Sequence, residues 1–162
     1  MQEKSKPPYY DLKTDIIKLA EDFTEAYKRC IEGKNARIDE YGRHVMSVVN
    51  IPAIVNASFA CELYLKAILK ESLKEHQLKV LYEKLPKSQQ ERIKNQMDEK
   101  LKDLPIYNSF EESLDKASIS FVEWRYIYET EKSDGFMGNR INLLLQFFAC
   151  FLNILKNEIN DR

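Results

Sequence analysis

From Ile51 to Leu69 the chain reads IPAIVNASFACELYLKAIL, and Glu62 and Lys66 are its only charges. A run this apolar has no polar side to offer water, so as a helix it belongs at the centre of a protein or in lipid. Asn56, Ser58, Glu62 and Lys66 speak against lipid, and a second apolar run, Ile141–Leu155, is too short for the ~20 residues a bilayer needs. Both runs therefore predict core helices. An ionised group costs several kcal/mol to bury unless it is paired and hydrogen-bonded. Glu62 and Lys66 stand one helical turn apart in the favourable order for an ion pair.

The 162 residues suit one domain, which buries about two-thirds of its unfolded surface. Few Gly and Pro (four and five) favour helices over many short strands, and the net charge of −1 gives no global pull toward nucleic acid or anionic membrane. Any RNA contact would be local. Cys30, Cys61 and Cys150 all fall in apolar helical patterns without CxxC or metal-ligand spacing, so they read as reduced core thiols. Two His and three scattered Cys make no zinc site, and neither a metal nor another cofactor is expected. MQEKSKPPYYDLK lacks the apolar stretch of a secretory signal, so the expected compartment is the cytoplasm. The sequon at Asn56 lies inside the expected core helix, where a glycan would not fit.

Residues 1–8 read as a flexible tail, and 9–162 as a single helical domain. Ile16, Ala20, Phe23, Tyr27 and Cys30/Ile31 recur at helical spacing up to Gly33. Residues 34–52 predict a long connection with a turn of helix or a short extended piece. Pro52 suits the first turn of the central helix, expected to run to about Lys74. HQLKVLYEKLP predicts a short amphipathic helix stopped by Pro86. Ser88-Gln-Gln-Glu91 has capping-box spacing and opens a polar, peripheral helix to about Lys102. Ser109-Phe-Glu-Glu112 repeats that spacing ahead of a stripe through Phe110, Leu114, Ala117, Phe121, Trp124 and Tyr128, with a possible break at Ser118-Ile-Ser120. A last apolar helix covers about 139–160. The sum is an all-α bundle of five or six helices.

Three groups of residues carry potential chemistry. The Glu62–Lys66 pair either fixes helix register, with Arg125 as a third member, or forms the polar floor of a pocket or dimer groove. In FVEWRYIYETE, Arg125 and Glu129 are again one turn apart among Trp124, Tyr126 and Tyr128. Arg and aromatics can clamp phosphate and stack bases, and equally pack a helix interface. His76 follows the central helix, where an imidazole can cap carbonyls or bind an acid. His44 is assigned no role. Gly135-Phe-Met-Gly138 matches no nucleotide fingerprint, and no nucleophile-elbow motif is present.

In order, IPAIVNASFACELYLKAIL, HQLKVLYEKLP and FVEWRYIYE before a long apolar final helix resemble the HEPN superfamily. The closer likeness is to small prokaryotic members with A-x-x-x-E-x-x-x-K, H-x-L-x-x-L and R-Y-x-Y-E segments, with Ser58 standing at the Ala position. The likeness spans about residues 51–155. It implies an up-and-down bundle of four or five helices, commonly a homodimer, that binds nucleotides or RNA. Many such proteins are metal-independent endoribonucleases of toxin–antitoxin and phage-defence systems, and others pair with a minimal nucleotidyltransferase. The nuclease members carry Arg, four to six residues, then His. After Arg125, Thr130, Glu131 and Lys132 occupy the positions where that His would stand, which argues against the usual activity.

Three functional expectations remain open. The first is a binding or interaction domain in which Glu62, Lys66, His76, Arg125, Tyr128 and Glu129 converge on a cleft for RNA, a nucleotide or a partner protein. The second is an unconventional endoribonuclease using Arg125 with His76 or Glu129, since metal-free RNA cleavage needs a base and a stabiliser of the charged phosphorane. The third is a structural module in which the same residues form a buried ion network.

Overall fold

A computed structural model describes residues 12–32, 36–38, 40–41, 44–46, 50–71, 73–104, 109–125 and 137–161. The tail at 1–8 and the segment carrying Tyr126, Tyr128 and Glu129 lie outside the described residues. The fold is all-α, with seven helices and one small hairpin among the described residues: α1 (Leu12–Glu32), β1 (Ala36–Ile38), β2 (His44–Met46), α2 (Asn50–Leu69), α3 (Leu78–Glu83), α4 (Lys87–Leu101), α5 (Phe110–Ser118), α6 (Ser120–Arg125) and α7 (Met137–Asn160). The extended piece anticipated in 34–52 is the antiparallel hairpin, with Ile38 opposite His44.

α2 is the centre of the bundle and packs against α1, α3, α6 and α7. Its side chains from Ala53 to Ile68 are largely buried, including Glu62 and Lys66. It alone among the described helices is long and apolar enough to cross a membrane, and 67% of its most apolar stretch is buried inside the fold. Pro52 sits in its first turn, where the missing N–H breaks no helical bond. Its end departs from the sequence expectation: the helix stops at Leu69 rather than near Lys74, because Lys70 takes a left-handed conformation (φ 58°). That conformation costs a non-glycine residue roughly 1–2 kcal/mol. It turns the chain away from the α2 axis so that Leu73 and Leu78 reach the core.

α1 meets α2 through the anticipated stripe, with Ala20 and Tyr27 buried and Phe23 edge-on to Phe59 at 4.6 Å. Burial pushes the Tyr27 phenol up to about 12. The opposite side of the core is aromatic: Tyr82, Phe110, Phe147, Phe148 and Phe151 form a chain of ring contacts between 5.1 and 6.2 Å.

α4 differs from expectation twice. Ser88 does not cap it; Pro86 occupies the cap position and Ser88 lies exposed within the first turn. The α3–α4 corner is instead fastened by buried Gln90, whose Nε2 donates to Glu83 O at 2.9 Å and Leu85 O at 2.7 Å, while Tyr82 Oη donates to Gln90 O at 2.6 Å. Nor is α4 merely peripheral. It buries Ile93, Met97 and Leu101, and Arg92 Nε and Gln89 Nε2 reach Glu158 of α7 at 2.7 and 3.0 Å. Its high polar content hides a narrow apolar stripe.

The second capping signature holds: Ser109 Oγ accepts from Glu112 N at 3.3 Å and starts α5. The stripe through Phe110, Leu114 and Ala117 is buried, and it breaks at Ile119. There Ser118 Oγ donates to Leu114 O and Ser120 Oγ to Ala117 O, at 2.7 and 2.6 Å, so the two serines satisfy carbonyls at the break. This break raises the helix number above five or six.

Truncating Ile93 tests whether α4 belongs to the core. Ile93→Ala should destabilise the protein by about 2–5 kcal/mol in urea unfolding, as for a buried aliphatic side chain. A solvated outlying helix would lose less than about 0.5 kcal/mol.

Candidate functional site

Successive turns of α2 place Ser58, Glu62 and Lys66 on one face of the helix. Lys66 Nζ donates to Glu62 Oε1 at 2.7 Å, with the two side chains 11% and 3% exposed. The same oxygen lies 3.0 Å from His76 Nδ1, although the His76 side chain is 67% exposed. A carboxylate only accepts hydrogen bonds, so the bridging proton is assigned to Nδ1. Nε2 has no hydrogen-bond partner among the described residues.

His76 reaches Glu62 because the left-handed stop at Lys70 returns the chain toward α2. Glu75 then rigidifies the approach: its Oε1 accepts from the backbone N–H groups of His76 and Gln77, both at 2.8 Å. Those two bonds, the Gln77 N–H foremost, hold the Glu75 carboxyl below the usual carboxylate range. Gln77 O accepts Leu81 N at 3.1 Å as α3 begins. Lys79 N donates to Ser118 Oγ at 2.8 Å, and Lys79 Nζ pairs with Asp115 at 2.7 Å. The His76 loop is thus tied to the α5–α6 junction. Sequence reasoning missed Glu75 and Ser118. An acid immediately before the H-x-L segment was a usable sign of the first; no local pattern identifies a serine 39 positions from its partner.

The stripe is incompletely satisfied. Among the described residues Glu62 Oε2, two Lys66 N–H groups and the Ser58 hydroxyl have no hydrogen-bond partner, although Ser58 is 2% exposed. An unpaired buried polar group costs about 1–3 kcal/mol, and buried polar groups are rarely left so. Glu158 provides the contrast within this fold. Its Oε1 accepts from Arg92 Nε, and its Oε2 from Arg92 and Gln89, so both oxygens are occupied.

α6 brings Arg125 to the same helix. Phe121 stacks on Phe59 with centroids 5.6 Å apart, and Phe59 lies seven residues before Lys66, two turns along one face of α2. Arg125 follows Phe121 by one turn and ends α6; only its backbone is described. Glu123 pairs with Arg140, joining α6 to α7. The structure therefore unites Glu62, Lys66 and His76 and packs the helix of Arg125 on α2, while Tyr128 and Glu129 lie outside the described residues. The three cysteines are free thiols, and burial pushes Cys61 well up and Cys150 up, away from nucleophile chemistry. Among the described residues no group of three or more His, Cys, Asp or Glu is arranged to hold a metal.

No family model matches the chain, and neither a curated protein nor a solved structure matches it.

Two predictions test this geometry. Lys66→Ala strips the buried Glu62 carboxylate of its main partner and should cost about 3 kcal/mol in urea unfolding, whereas Glu62→Leu with Lys66→Met should recover most of that loss. The Glu75 contacts should weaken in acid. Because that carboxyl is depressed in the fold, its stabilisation is present above the unfolded glutamate pKa, about 4.3, and is lost as pH falls through the lower folded value. NMR should follow this in the His76 and Gln77 amide shifts, and Glu75→Gln should abolish it.

Proposed function

We propose that this chain is a HEPN-like helical domain that binds single-stranded RNA or a nucleotide along the polar stripe of α2, in the cytoplasm and as a homodimer. One observation carries the reading: Ser58, Glu62 and Lys66 are buried together, yet a hydroxyl, a carboxylate oxygen and two ammonium hydrogens remain unpartnered among the described residues. That set suits a nucleotide. Lys66 N–H groups match a phosphate oxygen, and Glu62 Oε2 matches a ribose hydroxyl or a base amine.

Further support comes from the surroundings. The exposed His76 ring stands against Glu62, and Arg125 closes a helix packed on α2. Arg125 with Tyr126 and Tyr128 supplies the residue types that clamp phosphate and stack bases. The toxin–antitoxin or phage-defence setting and a nucleotidyltransferase-type partner rest on the sequence resemblance alone. The missing His after Arg125 is why binding, rather than the usual HEPN cleavage, is proposed.

A short fluorescent single-stranded RNA tests the reading by polarisation, with adenine and guanine nucleotides as competitors. Binding should weaken as salt rises, and Arg125→Ala, checked for helicity, should lose about tenfold or more in affinity. If neither RNA nor nucleotide binds, or if Arg125→Ala binds as the parent does, the proposal fails and a structural ion network is the better account.

A further inference from the structure

We infer that residues 73–77 are a lid on the polar stripe, latched by the His76–Glu62 contact and opened when α2 continues past Lys70; this rests on the RNA-binding reading. With Ser58 2% exposed and the Glu62 side chain 3% exposed, the stripe is closed to a nucleotide, so a ligand reaches it only after something moves. α1 and α6 are poorly placed to move, because Phe23 and Phe121 both pack on Phe59 of α2, at 4.6 and 5.6 Å. The segment 73–77 is held more lightly. Among the described residues its one hydrogen bond to α2 is from His76 Nδ1 to Glu62 Oε1 at 3.0 Å. The Glu75 bonds to the His76 and Gln77 amides lie within the segment and travel with it. Beyond it, the bond from the Lys79 amide to Ser118 is a fixed anchor.

The stop at Lys70 points the same way. A lysine at φ 58° holds a backbone that residues other than glycine disfavour. Glu71, Leu73, Lys74 and Glu75 are good helix formers, and neither Gly nor Pro stands between Lys70 and α3. Local preference therefore favours a longer α2, and the latch opposes it. Continuation does not strip Leu73 of its apolar setting. It falls four positions after Leu69, on the same helical face, and both side chains already pack partly buried against the core.

Opening thus exchanges a hydrogen bond to a buried carboxylate for a relaxed Lys70 and an added helical turn. These opposing contributions are of similar size, which is what an element with two positions requires. Lys66 stays paired with Glu62 in both positions, since that contact lies within α2. A ligand that binds only the open form is weakened in proportion to the fraction of molecules that are closed.

The test uses the full chain, the fluorescent single-stranded RNA and backbone NMR. His76→Ala removes the latch. The Cα shifts of Glu71, Leu73 and Lys74 should move to helical values, and RNA should bind about fivefold tighter or more. Lys70→Gly adopts the left-handed stop freely and disfavours its continuation as helix, so the lid should stay shut. Lys70→Ala removes the same charge but keeps the side-chain clash of the stop. RNA should bind Lys70→Gly about fivefold more weakly than Lys70→Ala. Adding Lys70→Gly to His76→Ala should return the three shifts toward the parent values. Three results would overturn the inference: unchanged shifts in His76→Ala, weaker RNA binding by His76→Ala, as for a ligand contact, or equal affinity of the two Lys70 variants. If neither the parent nor His76→Ala binds RNA, the binding reading fails separately, and the shifts alone decide whether the segment opens.

Discussion

A carboxylate shut away from water has to be answered from inside the fold, and in this protein that carboxylate is Glu62. Lys66 meets it from the next turn of the same helix and His76 from a separate segment, both on Oε1. Of these the lysine contact is local, since any helix over this stretch brings the two residues together. The histidine contact is not. It exists because α2 ends early, because Lys70 accepts a left-handed backbone, and because the chain beyond it is bound down by Glu75 and Ser118. The candidate site is thus as much a product of how α2 terminates as of its composition.

The two buried acids of the fold show different uses of the same chemistry. Glu158 has both oxygens occupied by Arg92 and Gln89 and serves to fasten α4 on α7. Glu62 spends one oxygen on two partners and leaves the other without one among the described residues. The two acids thus differ in how many of their oxygens are occupied and in what they hold: one fastens α4 on α7, the other meets an outward-facing histidine.

Much of the fold was legible because its signals are local. The apolar periodicity of α1 and α7, the near-continuous apolar run of α2 and the Ser109 cap all depend on residues within a few positions of one another. Where reading the sequence erred, the local pattern was outweighed by a neighbouring residue or left the outcome unmarked. The Ser88 spacing resembles a capping box, but Pro86 takes the cap position and Gln90 fastens the corner to α3. α4 looks polar by composition, yet four helical turns need only Ile93, Met97 and Leu101 in line to dock. The end of α2 was misplaced because no glycine marks it.

The sequence by itself determined that this is a helical protein built around one apolar helix, and that Glu62 and Lys66 must pair within it, since spacing and the cost of burying charge are properties of the chain alone. It also singled out His76 and Arg125. Only the tertiary structure decided that His76 docks on Glu62 rather than on some other acid, that Ser118 braces the loop carrying it, and that the Arg125 helix lies along α2. Such contacts join residues 14 or more positions apart, and their existence depends on where the helices stop and how they pack, which no short window of sequence contains.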